Sequence, residues 1–256
     1  MRFGICVDIS RIKEVEALGF DYAEGKLNAV ASLPEEEFES LLELCSSSSI
    51  RVEAFSLLFP KNMKLLGEDA VTKEELSSYL DKAFSRMKAF GADIAVFGSG
   101  KSRFVPPSMR WQDAYRSLVG ITGFIGEKAS EYGITVAIEP LNRDETNLIN
   151  SLAEGAALMA DVDMGSISLL ADLYHMRKEG EPMERISLTS PLAHAHIAVL
   201  ENRGYPVEKS QEVASFIKAL KDASYNGRIS IEGKSDDWQR DSLKSLLVLR
   251  ELDGGM

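Results

Sequence analysis

Short apolar runs alternate with longer amphipathic stretches along the chain, and this alternation constrains the fold more than any other feature. Apolar, β-branched runs that are each followed by a helical pattern are typical of parallel βα units. Eight such units fit into 256 residues, which is the usual length of one closed barrel. We therefore predict an α/β fold, a single (β/α)8 TIM barrel over residues 1–256. An open, doubly wound sheet is the alternative.

The predicted strands lie at 3–8, 22–24, 50–55, 94–97, 134–139, 167–172, 192–196 and 229–232. The clearest helical patterns lie at 34–45, 72–90, 109–132, 208–223 and 238–252. Four glycines stand between a helix and the next strand, where we expect left-handed helix caps: Gly19, Gly91, Gly133 and Gly227.

The composition is that of an ordinary soluble protein, with 45% hydrophobic and 27% charged residues. No apolar run approaches the roughly 20 residues that a membrane span needs. Arg2 is the only basic residue before the first strand, which argues against a secretory signal and predicts a cytoplasmic location. Cys6 and Cys45 show no metal-binding spacing, so we expect buried free thiols.

The charge balance restricts the partners. A net charge of −11 argues against a nucleic-acid surface, which usually contains a basic patch. It does not exclude a small anionic substrate, because local charge can differ from the mean. We expect a small-molecule substrate, and neither nucleic acid nor a membrane as a partner.

Four potential metal ligands end four successive predicted strands, the fifth to the eighth: Glu139, Asp172, His196 and Glu232. In a parallel barrel the carboxyl ends of all strands meet at one face, and this face carries the chemistry. Three carboxylates and one imidazole suit a divalent cation of the Mn, Mg, Co or Zn type. The sequence therefore predicts one metal site at this face.

The two glutamates of this set, Glu139 and Glu232, face each other across the predicted barrel. Two carboxylates in such positions can remove and return protons on opposite faces of a bound substrate. The metal would polarise a carbonyl and stabilise an enediolate. Two facing glutamates beside a metal predict a metal-dependent isomerase that shifts a carbonyl or inverts a neighbouring carbon, without a redox cofactor.

Three residues near these ligands are candidates for substrate contacts. Glu145 follows the fifth strand by six residues, and His175 lies one turn after the sixth. Arg203, in the segment ENRGYP, could bring a guanidinium over the pocket. A solvated loop acid, a structural histidine and a surface arginine are the respective alternatives.

Other polar residues occupy the inner strands. Glu24 ends the second strand, and we expect it to contact the substrate end away from the metal. His194 alternates with His196 and so points to the same side, one layer deeper. We expect His194 to pack against or orient the site rather than to bind the metal.

Two loops are long enough to cover the site, at 60–71 and 98–108. The second reads GSGKSRFVPPS and lacks the spacing of a nucleotide-binding P-loop. Gly98, Ser99 and Gly100 could offer backbone N–H groups to a hydroxyl or a phosphate. An ordinary connecting loop is the alternative.

The segments AIEPLNRDE, ADLYHM, HAHIAVLENRGYP and ISIEGK together resemble the xylose isomerase-like sugar isomerase/epimerase superfamily. They are most similar to the ketose 3-epimerases of the tagatose/psicose type. The resemblance implies a β/α barrel, one divalent ion, usually Mn²⁺ with Mg²⁺ or Co²⁺ as substitutes, and a possible homo-oligomer. The donor set alone also allows Zn²⁺. It implies metal ligands at Glu139, Asp172, His196 and Glu232. It also implies acid/base roles for Glu139 and Glu232, and substrate binding by Glu145, His175 and Arg203.

The chain departs from that pattern in one loop. Val199 stands where an acidic residue is frequent, and Arg203 lies seven residues after His196 instead of six. Sister reactions therefore stay open, namely those of an inosose dehydratase, a hydroxypyruvate isomerase or an aldose–ketose isomerase. A three-zinc nuclease needs many more histidines than the three present. A barrel that only senses a sugar or a metal is the non-catalytic alternative.

Overall fold

The sheet is a closed barrel in which every strand is parallel to its neighbours and the strands follow in sequence order. The computed structural model describes residues 1–254. The last strand pairs with the first and places Ile231 beside Ile5, which closes the barrel. The strands are β1 Arg2–Cys6, β2 Tyr22–Lys26, β3 Val52–Ser56, β4 Ile94–Phe97, β5 Thr135–Ile138, β6 Ile167–Asp172, β7 Leu192–Ile197 and β8 Arg228–Ile231.

Helices cover the outside of this barrel. They are α1 Ile12–Ala17, α2 Leu27–Ser32, α3 Glu35–Ser46, α4 Lys73–Ala89, α5 Trp111–Glu131, α6 Leu152–Val162, α7 Leu173–Lys178, α8 Arg185–Thr189, α9 Gln211–Asp222 and α10 Trp238–Asp253. Thr72 and Glu75 form a reciprocal capping box at the start of α4, which satisfies two otherwise free N–H groups. Within residues 1–254, no helix combines the length and apolar character that a membrane crossing requires.

The predicted (β/α)8 barrel is confirmed, and the open-sheet alternative is wrong. Predicted strand ends differ from the observed ones by at most about two residues, the usual uncertainty of such boundaries. Gly19, Gly91 and Gly133 have positive φ angles, as expected of left-handed caps. The prediction for Gly227 is wrong, because Ser224 takes the left-handed turn after α9 with φ 57°.

The barrel interior is apolar on one side and polar on the other. Apolar side chains from β3 to β6 form one small cluster: Ala54, Ile94, Val96, Ala137 and Leu170. Buried polar side chains from β2, β7 and β8 fill the remainder: Glu24, His194, His196 and Ser230. Buried polar groups need hydrogen-bond partners, and most of these are found within the barrel: Glu24 pairs with both histidines, and Ser230 with Tyr22. That pairing positions the site described next.

Candidate active site

The four predicted metal ligands meet at the carboxyl ends of β5 to β8. Glu139 and Glu232 directly follow β5 and β8, Asp172 ends β6, and His196 lies in β7. Each offers one ligand atom, and these atoms all lie within 4.8 Å of one another. The parallel strands bring them together although they are spread over almost 100 residues of sequence.

His196 turns one ring nitrogen toward the carboxylates and the other away from them. Its Nδ1 atom lies 3.0 Å from Glu139 Oε1, 3.6 Å from Glu232 Oε2 and 3.9 Å from Asp172 Oδ2. Its Nε2 atom lies 2.9 Å from Glu24 Oε1, on the opposite side of the ring. A hydrogen on Nε2, donated to Glu24, leaves the Nδ1 lone pair free for a metal.

Glu24 lies beneath the site rather than on its open side. Its carboxylate is fully buried and binds both His196 and His194, the latter at 2.7 Å. The two histidines overcome the effect of burial and lower the pKa of Glu24 well below its ordinary value. Because Glu24 does not line the cavity, the predicted substrate contact has no support in this placement. The deeper, orienting position expected for His194 agrees with its complete burial.

Asp172 uses its two carboxylate oxygens differently. Oδ1 accepts a hydrogen bond from the backbone N–H of His175 at 3.0 Å and caps α7. Oδ2 is buried and has no hydrogen-bond partner in the described residues. A buried carboxylate oxygen without a partner is costly, and a cation beside it would remove that cost.

The electrostatics of the site also fit a cation. Burial raises the pKa of Glu139 to about 7, and the charges of Glu232 and Asp172 add to this effect. Burial alone would lower the pKa of His196, but the carboxylates of Glu24 and Glu232 raise it well above its ordinary value. The raised pKa values of Glu139 and His196 mean that both groups hold protons more tightly, because several carboxylates are crowded together. A divalent cation can replace such protons.

The donor set of Glu139, Asp172, His196 and Glu232 therefore fits one divalent ion of the oxygen- and imidazole-binding type. A second group, formed by Cys6, Glu24 and His196, overlaps it. That group is the weaker candidate, because burial raises the pKa of the Cys6 thiol and a metal ligand must be the thiolate. Cys6 and Cys45 are both free, as predicted, but Cys6 is only half-buried and lines the cavity.

His175 lies next to the metal-ligand cluster and has one free ring nitrogen. Its Nδ1 accepts a hydrogen bond from the backbone N–H of Asn142 at 3.1 Å. Its Nε2 is buried without a partner in the described part of the chain. Burial lowers the pKa of His175 to about 4, so the ring is neutral and Nε2 carries the hydrogen. That N–H group has no acceptor among residues 1–254, but His175, like Glu24, does not line the cavity, so its substrate contact stays a prediction.

Arg203 joins two acidic residues at the mouth of the site. Its guanidinium donates to Glu145 Oε1 at 3.2 Å and to Glu232 Oε2 at 2.5 Å. Asn202 and Arg203 both have positive φ, at 55° and 50°, which is uncommon for residues with side chains. The loop after β7, which departs from the family pattern, thus still places the Arg203 guanidinium at the pocket. Asn202 and Arg203 adopt left-handed backbone conformations to do so.

Two contacts that support Glu139 were not predicted. Arg103 is fully buried and donates to the backbone carbonyls of Phe97 and Glu139, at 3.1 and 2.7 Å, so it joins the ends of β4 and β5. Gly98 packs against the Glu139 carboxylate so closely that a Cβ atom there would overlap Oε2. No local pattern distinguishes Arg103 from an ordinary loop arginine, whereas a glycine directly after a strand is a possible signal of close packing.

The cavity above these residues has a volume of about 520 Å³, which is in the range of small-molecule sites. Both long loops contribute to its wall, through Lys61 from the first and Ser99 to Ser102 from the second. Glu139, Glu145, Arg203 and Glu232 also line it. The structure therefore brings together the predicted acid/base pair and two of the predicted substrate-binding residues at one cavity.

Comparison with known proteins assigns the family. The sequence profile described as xylose isomerase-like TIM barrel matches residues 12–252. The chain belongs to the xylose isomerase-like TIM barrel family. Within this family it is 27% identical to the D-psicose 3-epimerase of Agrobacterium fabrum over 228 residues, which are 86% of this chain and 77% of that protein. It is 24% identical to the ketose 3-epimerase of Arthrobacter globiformis over 250 residues, 95% and 82% of the two chains.

Solved structures of sugar epimerases share the fold. A D-psicose 3-epimerase crystallised in the presence of D-fructose superposes with a TM-score of 0.86 at 21% identity, over the whole of both chains. A 3-keto-D-glucoside 4-epimerase from E. coli superposes with a TM-score of 0.81 at 17% identity, covering 98% of this chain and 99% of that one. At these identities the likeness concerns the fold.

Proposed function

We propose that this chain is a divalent-metal-dependent ketose 3-epimerase, which inverts the carbon next to a ketose carbonyl. The observation that carries the proposal is the convergence of Glu139, Asp172, His196 and Glu232 on one point, with Asp172 Oδ2 left buried and unpaired. Family membership and the epimerases among its relatives assign the chain to the sugar isomerases and epimerases.

The metal would be held by these four side chains. When bound, a divalent cation polarises a substrate carbonyl and the adjacent hydroxyl and stabilises the negative charge that develops on them. Mn²⁺ is the proposed ion, with Mg²⁺, Co²⁺ or Zn²⁺ as substitutes, because carboxylate-rich sites with one imidazole accept this group of metals. Glu24 keeps His196 in the tautomer that presents Nδ1 to the ion.

Proton transfer is assigned to Glu139 and Glu232. They follow β5 and β8, so β6 and β7 separate them around the barrel and a substrate can lie between them. One carboxylate removes the C3 proton, and the other returns a proton to the opposite face, which inverts C3. A pKa of about 7 lets Glu139 act as base or acid near neutral pH.

Two polar groups beside the proposed metal ligands would hold the substrate. His175 offers its Nε2–H group, and Arg203 offers guanidinium hydrogens beside Glu145 and Glu232. Arg203 also fixes one oxygen of Glu232, so the acid/base group cannot rotate freely. Sister reactions on the same ligand set are not favoured, because epimerases predominate among the similar proteins.

Hydrogen exchange at carbon tests this proposal. Protein stripped of metal is incubated with a panel of ketoses, inososes and hydroxypyruvate in deuterated water, with Mg²⁺ or Zn²⁺ for direct NMR and Mn²⁺ or Co²⁺ in quenched samples. We expect deuterium at C3 of a ketose only when metal is supplied. Absence of ketose exchange with every metal would contradict the proposal. Exchange or water loss in another compound would then indicate a sister reaction.

A further inference from the structure

We propose that the substrate of this epimerase carries a negatively charged group, a phosphate ester or a carboxylate, at the end of the sugar remote from the carbonyl. This inference rests on the proposed function and specifies its substrate class. It starts from four lysines that line the cavity: Lys26, Lys61, Lys101 and Lys234.

Three of these lysines lie on the side of the barrel away from the metal ligands. Lys26 ends β2, Lys61 follows β3 and Lys101 follows β4, whereas the ligands come from β5 to β8. A ketose whose carbonyl end reaches the ligands would therefore extend its other end toward these ammonium groups. Lys234 lies two residues after Glu232 and adds a fourth charge at the rim.

The acidic side chains of the cavity have charge partners, whereas its four lysines have none in the part of the chain that the structure describes. Each carboxylate that lines it is accounted for: Glu139 and Glu232 belong to the proposed metal-ligand set, Glu145 pairs with Arg203, and Asp144 pairs with Lys178 at 2.9 Å. By contrast, none of the four cavity lysines forms an ion pair with any residue in the described range 1–254. The cavity therefore holds surplus positive charge in a chain whose net charge is −11.

That surplus has a physical consequence for recognition. Like charges gathered around one concave surface repel each other and raise the local concentration of anions. A neutral sugar leaves this repulsion unchanged, whereas an anionic group relieves it and accepts charge-assisted hydrogen bonds from the ammonium groups. The four lysines should therefore make the enzyme prefer an anionic ketose to a neutral one.

The loop after β4 adds neutral donors to this wall. Ser99 has a φ of 38°, and its hydroxyl accepts a hydrogen bond from the backbone N–H of Phe59 at 3.0 Å. The two long loops are joined by the backbone hydrogen bond from Leu65 N–H to the Ser102 carbonyl at 2.8 Å. The backbone N–H groups of Gly100 and Lys101 donate to no acceptor within residues 1–254. Successive free N–H groups beside a lysine are suited to phosphate or carboxylate oxygens.

Steady-state kinetics with matched substrates test the inference. The metal-loaded enzyme is assayed with fructose, fructose 6-phosphate and fructuronate, and with xylulose and xylulose 5-phosphate. We expect kcat/KM to be higher for a charged member of a pair by about tenfold or more, the usual effect of one hydrogen bond to a charged group. The phosphate and carboxylate arms identify which anion is preferred. The preference should weaken as salt concentration rises.

Lysine variants test whether the cavity lysines cause the preference for anionic substrates. Lys61→Gln and Lys101→Gln should each lower kcat/KM for the anionic substrate by about tenfold and leave the neutral ketose within about twofold. Lys82→Gln, in an exposed lysine of α4 outside the cavity, is the matched control. Turnover of neutral ketoses with equal or higher kcat/KM would overturn the inference and leave the proposed function intact. Failure of every substrate with every metal would overturn the proposed function, and the inference with it.

Discussion

Glu24 Oε1 lies 2.9 Å from His196 Nε2, on the side of the imidazole ring that faces away from Glu139, Asp172 and Glu232. This contact joins β2 to β7 across the barrel and determines which ring nitrogen of His196 is presented to the cavity. The same carboxylate holds His194, so one buried glutamate orients two histidines. The proposed metal site is thus supported by a buried residue that does not itself line the cavity.

The first prediction concerns Glu24→Gln. A glutamine has only one carbonyl oxygen, so one of the two histidine N–H groups loses its acceptor. We expect Mn²⁺ affinity to fall by about 10–100-fold, the usual effect of losing the partner of a ligating histidine. Chelator competition measures the affinity, and circular dichroism verifies the fold. Glu39→Gln, in an exposed glutamate of α3, is the control, and an unchanged affinity in Glu24→Gln would refute the assigned role.

The second prediction concerns Gly98→Ala. The new Cβ would overlap Glu139 Oε2 and displace the proposed acid/base carboxylate. Because displacements of about 1 Å can cost about 100-fold in rate, we expect kcat to fall by about that factor with little loss of stability. Gly120→Ala is the matched control, since a Cβ at that position of α5 contacts nothing. Equal kcat values for the two variants would contradict the proposed role of Glu139.

The third prediction concerns pH and His175. Burial lowers the pKa of His175 to about 4, whereas the unfolded chain protonates a histidine near pH 6.5. Between these values the unfolded state binds the extra proton, so the free energy of unfolding decreases as pH falls from about 6.5 to 4. His175→Gln should remove up to about 1.4 kcal/mol per pH unit from that slope. Urea unfolding across this range measures it, and identical slopes would contradict the shift.

The fourth prediction concerns metal removal. A ligand that binds only the folded state at about 100 times its Kd adds about 2.7 kcal/mol, which corresponds to about 5–10 °C in Tm for a chain of this size. We expect Mn²⁺ to raise Tm by this amount and EDTA to reverse the effect. Asp172→Asn should abolish most of the increase, whereas Asp8→Asn, at an exposed rim carboxylate, should retain it. A full increase in Asp172→Asn would place the metal elsewhere.

Much of this architecture is predictable from the sequence, because a residue at the carboxyl end of any strand of a parallel barrel lies at the same face of the barrel. Glu139, Asp172, His196 and Glu232 each end a short apolar run, and the strand ends of a barrel meet at one face. Once eight βα units are recognised, their convergence follows without any knowledge of tertiary contacts. The identities of the side chains then indicate the chemistry.

What could not be predicted depends on contacts between distant segments. Glu24 and His194 are 170 residues apart, and their pairing depends on how side chains point within the barrel layers. Arg103 owes its function to carbonyls at the ends of two strands, which no local pattern reveals. Ser224, rather than Gly227, takes the left-handed turn because it directly follows the C-cap residue of α9, Ala223, whereas Gly227 directly precedes β8.

The most direct test of the central claim measures the two proton-transfer groups separately. Each epimer of the active ketose is incubated in deuterated water with Glu139→Gln or Glu232→Gln, after metal analysis has shown that the variant retains its ion. We predict that both variants lose epimerisation by about 100-fold or more. One variant should still exchange the C3 hydrogen of one epimer, and the other variant that of the opposite epimer. Wild-type epimerisation in either variant, or exchange of the same epimer by both, would contradict the two-carboxylate account.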